Sequence, residues 1–193
     1  GSNYTNYRWM PESTIPLAAS IKRLMGMHDG DEVLDVGASR GYLVKAMNII
    51  GLKACGYDIS EWAVTNCDPD VEGLISMSYD SKPMSCDFIT AKDVLEHVAE
   101  PNLTDMLKDF TAMMRKAMLI IVPLSGSDGD EYLCPKDQRD TTHVNRWTLP
   151  TWLTFLEGID RRLVVSGGYY VPGIKQAKTA WERSCGFITI RRI

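Results

Sequence analysis

What this chain has little of narrows it first. Its longest unbroken apolar stretches fall far short of the roughly 18 residues that a membrane-spanning helix needs, so no such helix is expected. No basic segment followed by an apolar one stands at the start, and Gly1-Ser2 reads as the scar of a cleaved tag. Cysteine is sparse and unpaired in pattern. The five residues, Cys55, Cys67, Cys86, Cys134 and Cys185, are odd in number and contain no Cys-x-x-Cys spacing. That argues against a disulfide frame or a zinc knuckle, and for free thiols in a reducing cytoplasm. A basic excess is also missing: the formal net charge is −4, so DNA is not an expected partner. Repeats and low-complexity stretches are absent.

What is present is the composition of a soluble globular domain, with 45% hydrophobic and 24% charged residues over 193 positions. The charge is uneven. Residues 1–130 hold 11 basic and 19 acidic side chains, whereas residues 131–193 hold 10 and 6. The mildly cationic end is either an ordinary solvated face or one that favours an acidic partner.

Short apolar runs alternate with helical patterns. Glu12-Ser13-Thr14 offers caps for a helix reaching about Met27, with Ile15, Ala18, Ala19, Leu24 and Met25 at helical spacing. Glu32–Val36 reads as a buried strand, Gly37–Gly41 as a turn and Tyr42–Ile50 as an amphipathic helix stopped by Gly51. A strand over Lys53–Tyr57, a helix over Ser60–Cys67 capped by Ser60, and strands over Gly73–Met77 and Asp87–Ala91 follow. A helix from Pro101 to about Arg115 leads into a fifth strand, Ala117–Val122, which Pro123 terminates. Residues 123–147 lack periodicity and read as a long functional loop. A helix over Leu149–Glu157 and two late strands, near Leu163–Val171 and Ser184–Arg191, complete the chain. Strands alternating with helices imply βαβ units: an α/β, Rossmann-like, doubly wound fold with helices on both faces of the sheet.

The sharpest feature is Val33-Leu34-Asp35-Val36-Gly37-Ala38-Ser39-Arg40-Gly41-Tyr42-Leu43, a strand entering a small-residue turn and then a helix. Such a turn aims backbone N–H groups and a helix N-terminus at a ligand. Strand two then ends in Tyr57-Asp58-Ile59-Ser60, where a carboxylate can accept both hydroxyl hydrogens of a ribose. Counted from Gly37, the dinucleotide fingerprint G-x-G-x-x-G requires glycine where Ser39 and Tyr42 stand, so it fails twice.

Asp35-Gly37-Ser39-Gly41 instead resembles motif I, D-x-G-x-G-x-G, of the class I S-adenosylmethionine (SAM)-dependent methyltransferases, with Ser39 replacing one glycine. The resemblance continues in order along residues 30–160. Asp87-Phe88-Ile89-Thr90-Ala91-Lys92-Asp93-Val94-Leu95-Glu96-His97-Val98 is similar to the family's fourth strand and its "vLEHv" segment. Leu119–Pro123 matches the fifth strand, and His143-Val144-Asn145-Arg146-Trp147-Thr148-Leu149-Pro150 the lead into the next helix. The resemblance implies a mainly parallel seven-stranded sheet with its last strand antiparallel. It also implies one methyltransferase domain: an N-terminal helix and lid over 1–28, a SAM-binding half over 29–122 and an acceptor-side half over 123–193.

By that resemblance Gly37, Ala38, Ser39 and Gly41 pass close to the methionine part of SAM, and Asp35 anchors the turn and the cofactor's amino group. Asp58 binds the ribose hydroxyls, Ile59 lies against the adenine face and Asp80 meets the adenine amino group. Lys92 and Asp93 follow strand four at the carboxyl edge, where ligands sit in such folds. Each of these also has a plainer use as a cap or solvated strand end. His28 falls in a turn, while His97 and His143 fall in the matched segments and are the candidates for a proton acceptor. Asn/Asp-Pro-Pro-Tyr, a Pro-Cys nucleophile and an acidic pair after strand five are all missing, which sets aside the amino-directed DNA, cytosine-C5 and metal-dependent catechol-type chemistries. No metal is implied.

Nine of the 17 aromatic side chains lie in residues 1–10, 123–152 and 167–183, either rimming an acceptor pocket or packing a loop-rich edge. The expected activity is methyl transfer to oxygen or nitrogen of a small molecule or glycan. Two alternatives stay open: a catalytically silent SAM-binding module, and an RNA or protein methyltransferase. Residues 123–147 are expected to be mobile without ligand and to close over cofactor and acceptor.

Overall fold

A computed structural model describes residues 7–78, 85–174 and 183–192. Seven strands form one mixed sheet in the order β3-β2-β1-β4-β5-β7-β6, the doubly wound α/β arrangement expected from the alternating pattern. The chain divides into two compact units, one ending at Thr90 and the other beginning at Ala91.

In the first unit, helix α1 spans Pro11–Met25 and buries Ala18, Ile21 and Met25 at helical spacing. Ser13 and Thr14 are not its caps. Their hydroxyls lie inside the first turn and donate to the carbonyl of Met10, which also receives both their backbone N–H groups. Pro11 explains the earlier start, because a first-turn proline gives up an N–H that has no helical partner. Strand β1, Glu32–Val36, is buried from its second residue on and pairs in parallel with β2, Lys53–Tyr57. Between them α2, Tyr42–Ile49, buries Tyr42, Leu43, Val44, Ala46 and Met47, and Gly51 at φ +89° ends it.

Helix α3 is shorter than its pattern suggested, Glu61–Thr65, although Ser60 does cap it by accepting from Ala63 N at 3.2 Å. The β-branched Val64 and Thr65 and the turn-forming Asn66 give weak support for longer helix. Strand β3 shrinks to Ile75–Ser76, because Gly73 turns at φ +78° and β2 is the partner that the edge strand has.

Strand β4, Cys86–Lys92, leads into the second unit. There α4, Glu100–Met113, passes straight into β5, Met114–Pro123, three residues before the apolar run suggested. Met114 is buried while Arg115 and Lys116 stay exposed, so sheet pairing extends beyond the hydrophobic signal. Strand β7, Cys185–Arg192, lies antiparallel between β5 and β6, the latter being Leu163–Gly168. Helix α5, Leu149–Glu157, is capped by Thr148 and buries Trp152 and Leu156 completely. Among the described residues no helix is long and apolar enough to cross a membrane.

Candidate active site

In the first unit the turn after β1 is built from left-handed backbone. Gly37, Ser39 and Gly41 have φ of +71°, +52° and +79°. Ser39 therefore occupies a glycine-like conformation at the one motif position where glycine is missing, a local strain of about 1–2 kcal/mol. Gly41 cannot be replaced on the same terms. A Cβ there would stand 2.6 Å from Val71 Cγ2 and 3.0 Å from Ile75 Cδ1. Gly56 on β2 is equally constrained, since its Cβ would lie 2.5 Å from that of Ala38. Gly56 thus lets the turn press against β2, and Gly41 lets it press against Val71 and Ile75.

Hydrogen bonds fix that approach. Gly37 N and Ala38 N donate to the carbonyl of Tyr57 at 2.8 and 3.0 Å. Asp58, 5% exposed, accepts from Ser39 N at 2.6 Å and from Ser60 N at 2.8 Å. A carboxylate offers about four lone-pair sites, so one on each oxygen remains for a ligand. Beside it the apolar side chain of Ile59 is 80% exposed. Ser39 Oγ is sequestered from solvent with no hydrogen-bond partner among the described residues. Asp35 is buried and accepts from the Thr90 hydroxyl at 2.7 Å, so it locks β1 to β4. Thr90 was missed by the sequence reading, which had no signal for a partner 55 positions away. Asp80 lies outside the described residues. Residues 7–9 rest on the start of α2: the Tyr7 carbonyl accepts from Arg40 Nη1, and the Trp9 ring lies beneath Lys45 Nζ at 4.8 Å.

In the second unit Lys92 and Asp93 form an ion pair at the end of β4, and Asp93 takes φ +56°. Its N–H donates to the Ile121 carbonyl at 2.8 Å. A single turn of 3-10 helix then presents Glu96 and His97. Glu96 is 1% exposed, and its carbonyl receives Val144 N at 2.8 Å and Asn145 N at 3.1 Å. Asn145 reciprocates through Nδ2, donating to Leu95 O and Val98 O at 2.9 and 2.7 Å. This backbone clamp brings His143 edge-on to His97, ring centroids 4.5 Å apart, with Tyr132 on its other side at 5.0 Å. His143 Nε2 lies 3.9 Å from Glu96 Oε1 and equally far from Asp140 Oδ2.

The electrostatics follow from burial. His143 is pushed below the usual imidazole range, first by desolvation and then by His97. Burial drives the Tyr132 phenol far above its ordinary value, and its hydroxyl donates to the Asn145 carbonyl at 3.1 Å. The Thr142 hydrogen bond holds Asp140 below the usual carboxylate range. Of the three histidines, His28 is exposed in its turn as expected, while His97 and His143 come together. Glu96, Thr142, Asp140 and Asn145 were given no role from sequence. Glu96 and Asn145 stand inside the motif-like segments, which was their available signal.

The aromatic segments are resolved residue by residue. Trp152 and Tyr132 are core side chains, whereas Tyr7, Tyr169 and Tyr170 are more than one-third exposed. Tyr4 and Trp181 lie outside the described residues.

Comparison with known proteins gives the family and the fold. The family described as "Methyltransferase domain" matches residues 12–162. A curated relative, the ubiquinone biosynthesis O-methyltransferase of Bordetella avium, is 31% identical over 112 residues, 49% of this chain. The match spans 46% of that protein's length. A SAM-dependent methyltransferase from Archaeoglobus fulgidus superimposes with a TM-score of 0.69 at 18% identity, covering 99% of this chain and 98% of the other. The 1,6-didemethyltoxoflavin-N1-methyltransferase of Burkholderia thailandensis, solved with S-adenosylhomocysteine, gives 0.68 at 19% identity, covering 99% and 84%. At such identities the two structures establish a shared fold.

Proposed function

The chain belongs to the methyltransferase-domain family, and on that premise we propose that it transfers the methyl group of SAM to an oxygen or nitrogen of a small molecule or glycan. The observation that carries the reading is the turn after β1, laced to Asp58 through Ser39 N at 2.6 Å. It supplies what the cofactor needs: a carboxylate with free lone pairs for the ribose, an exposed apolar side chain for adenine, and a sequestered hydroxyl at Ser39. Gly37, Ala38 and Gly41 keep the backbone bare near the methionine part.

SAM brings a carbon already activated by its sulfonium, so the protein's contribution is orientation and the handling of one proton. We take Lys92 and Asp93, which follow β4, as cofactor-binding residues, and the His97–His143 pair as the group that receives the acceptor's proton. The acceptor is a small molecule or glycan, a reading supported over DNA by the net charge of −4. The five cysteines are free thiols, which suits the cytoplasm as its place of action.

Calorimetry with S-adenosylhomocysteine, together with turnover of labelled SAM over a panel of hydroxyl and amine acceptors, tests the reading. Binding plus a methylated product is the expected result. His143→Ala should lower turnover at least tenfold while S-adenosylhomocysteine affinity stays within a factor of about three. Tight binding with no product from any acceptor would instead make the protein a cofactor-binding module. Salt-sensitive retention of RNA, followed by its methylation, would move the acceptor to nucleic acid.

A further inference from the structure

We propose that Glu96, His97 and His143 bind a first-row divalent transition-metal ion, such as Zn2+, Fe2+ or Co2+, with a coordination position open to an oxygen ligand. One donor atom from each side chain lies within 4.8 Å of the other two. Metal–nitrogen and metal–oxygen bonds of about 2.0–2.2 Å bring donor atoms to roughly 3.3–3.5 Å in a tetrahedral site. The widest pair must therefore come about 1.3–1.5 Å closer when an ion binds.

The hydrogen bonding prepares His97 as a ligand. The single hydroxyl hydrogen of Thr142 goes to Asp140 Oδ1 at 2.5 Å, so Thr142 Oγ1 can only accept from His97 Nδ1, 2.8 Å away. His97 Nδ1 therefore carries the proton and Nε2 the lone pair. A ring nitrogen tied through a hydroxyl to a carboxylate is the support that metal-bound histidines use. His143 has a side chain 6% exposed, and its Nδ1 has no hydrogen-bond partner among the described residues. Among the described residues no hydrogen bond fixes its tautomer, so either nitrogen can present a lone pair.

The backbone holds the donors where a metal would need them. Val144 N and Asn145 N on the Glu96 carbonyl, with Asn145 Nδ2 on Leu95 and Val98, fix the two ligand segments to each other. Asp140, Asp137 and Asp93 each draw positive charge toward His143, although burial and His97 outweigh them for a proton on the imidazole itself. Two imidazole nitrogens and one carboxylate suit zinc, iron or cobalt rather than magnesium or calcium. Three protein ligands leave room for a further one, as catalytic sites do, and the exposed His97 gives the ion a way in.

Cation binding can be measured with neither cofactor nor acceptor present, so its failure and the failure of the methyl-transfer reading are separable. Chelator-treated protein is titrated with CoCl2 and followed by visible absorption and calorimetry. One equivalent should bind, giving d–d bands of a nitrogen- and oxygen-ligated ion. Glu96→Gln and His97→Gln should each weaken binding by at least about tenfold, and Thr142→Val by about tenfold through the lost support of His97. His28→Ala should change nothing. Should His143→Ala fail to fold, the exposed His97→Gln, checked by circular dichroism, still carries the test. No binding at millimolar cobalt, affinity unaffected by Glu96→Gln and His97→Gln, or intense thiolate-to-cobalt charge-transfer bands from a cysteine would each overturn the proposal.

Discussion

Asp58 illustrates how one side chain serves two ends at the residue scale. From sequence it is a ribose ligand, yet in the folded chain it first accepts the backbone N–H groups of Ser39 and Ser60. Those bonds hold the left-handed Ser39 in place and orient the remaining lone pairs. Asp58→Ala should therefore act twice. Loss of charge-assisted bonds to the cofactor should weaken S-adenosylhomocysteine binding by about 1.5–3 kcal/mol, roughly ten- to a hundredfold in Kd. The melting temperature should fall as well, because two N–H groups beside a buried site lose their acceptor. Calorimetry and thermal melting on one variant separate the two effects. Unchanged affinity in a folded variant would remove Asp58 from the cofactor site.

At the scale of elements, the aperiodic stretch after β5 is the loop that its sequence reads as, with one 3-10 turn at Asp137–Arg139. It is held by isolated backbone bridges and side-chain bonds rather than by a repeating pattern. Leu124 N donates to Ser184 O at 2.9 Å, Ser125 pairs with Tyr132, and Asp128 accepts from Thr148 N and Thr151 Oγ1 before α5 begins. Asn145 is the central fastener, 4% exposed with two donated bonds. Asn145→Ala leaves the Leu95 and Val98 carbonyls without that donor, at about 1–3 kcal/mol each. We expect a loss of roughly 2–4 kcal/mol in urea unfolding, with turnover reduced more than S-adenosylhomocysteine binding. An unchanged unfolding midpoint would mean that water replaces the amide and that the clamp is not energetic.

For the whole molecule, cofactor binding and stability are linked. A ligand that binds the folded state at 100 times its Kd adds about 2.7 kcal/mol. In a chain of this size that corresponds to a rise of roughly 5–11 °C in melting temperature. S-adenosylhomocysteine should produce such a rise, and Asp58→Ala should reduce it at the same concentration. A melting point that does not respond to the ligand would contradict the proposed cofactor site.

The strands β1 and β2 were legible to the residue, because a buried run bounded by turn residues is a local pattern read from neighbours in sequence. The same holds for the turn from Gly37 to Gly41, whose small residues announce a close backbone approach, and for Ser60 as a cap. Sequence also placed His97 and His143 as candidates. What it could not provide were relations between distant positions. β7 enters between β5 and β6, Thr90 closes on Asp35, and Glu96 meets His143 through a clamp 47 positions apart. The tautomer of His97 depends on where Thr142 sends one hydrogen. Periodicity and turn chemistry record each residue's preference for its own neighbourhood. Contacts across the sheet and between loops are set by packing and by the need to satisfy buried polar groups, and only the folded chain contains those.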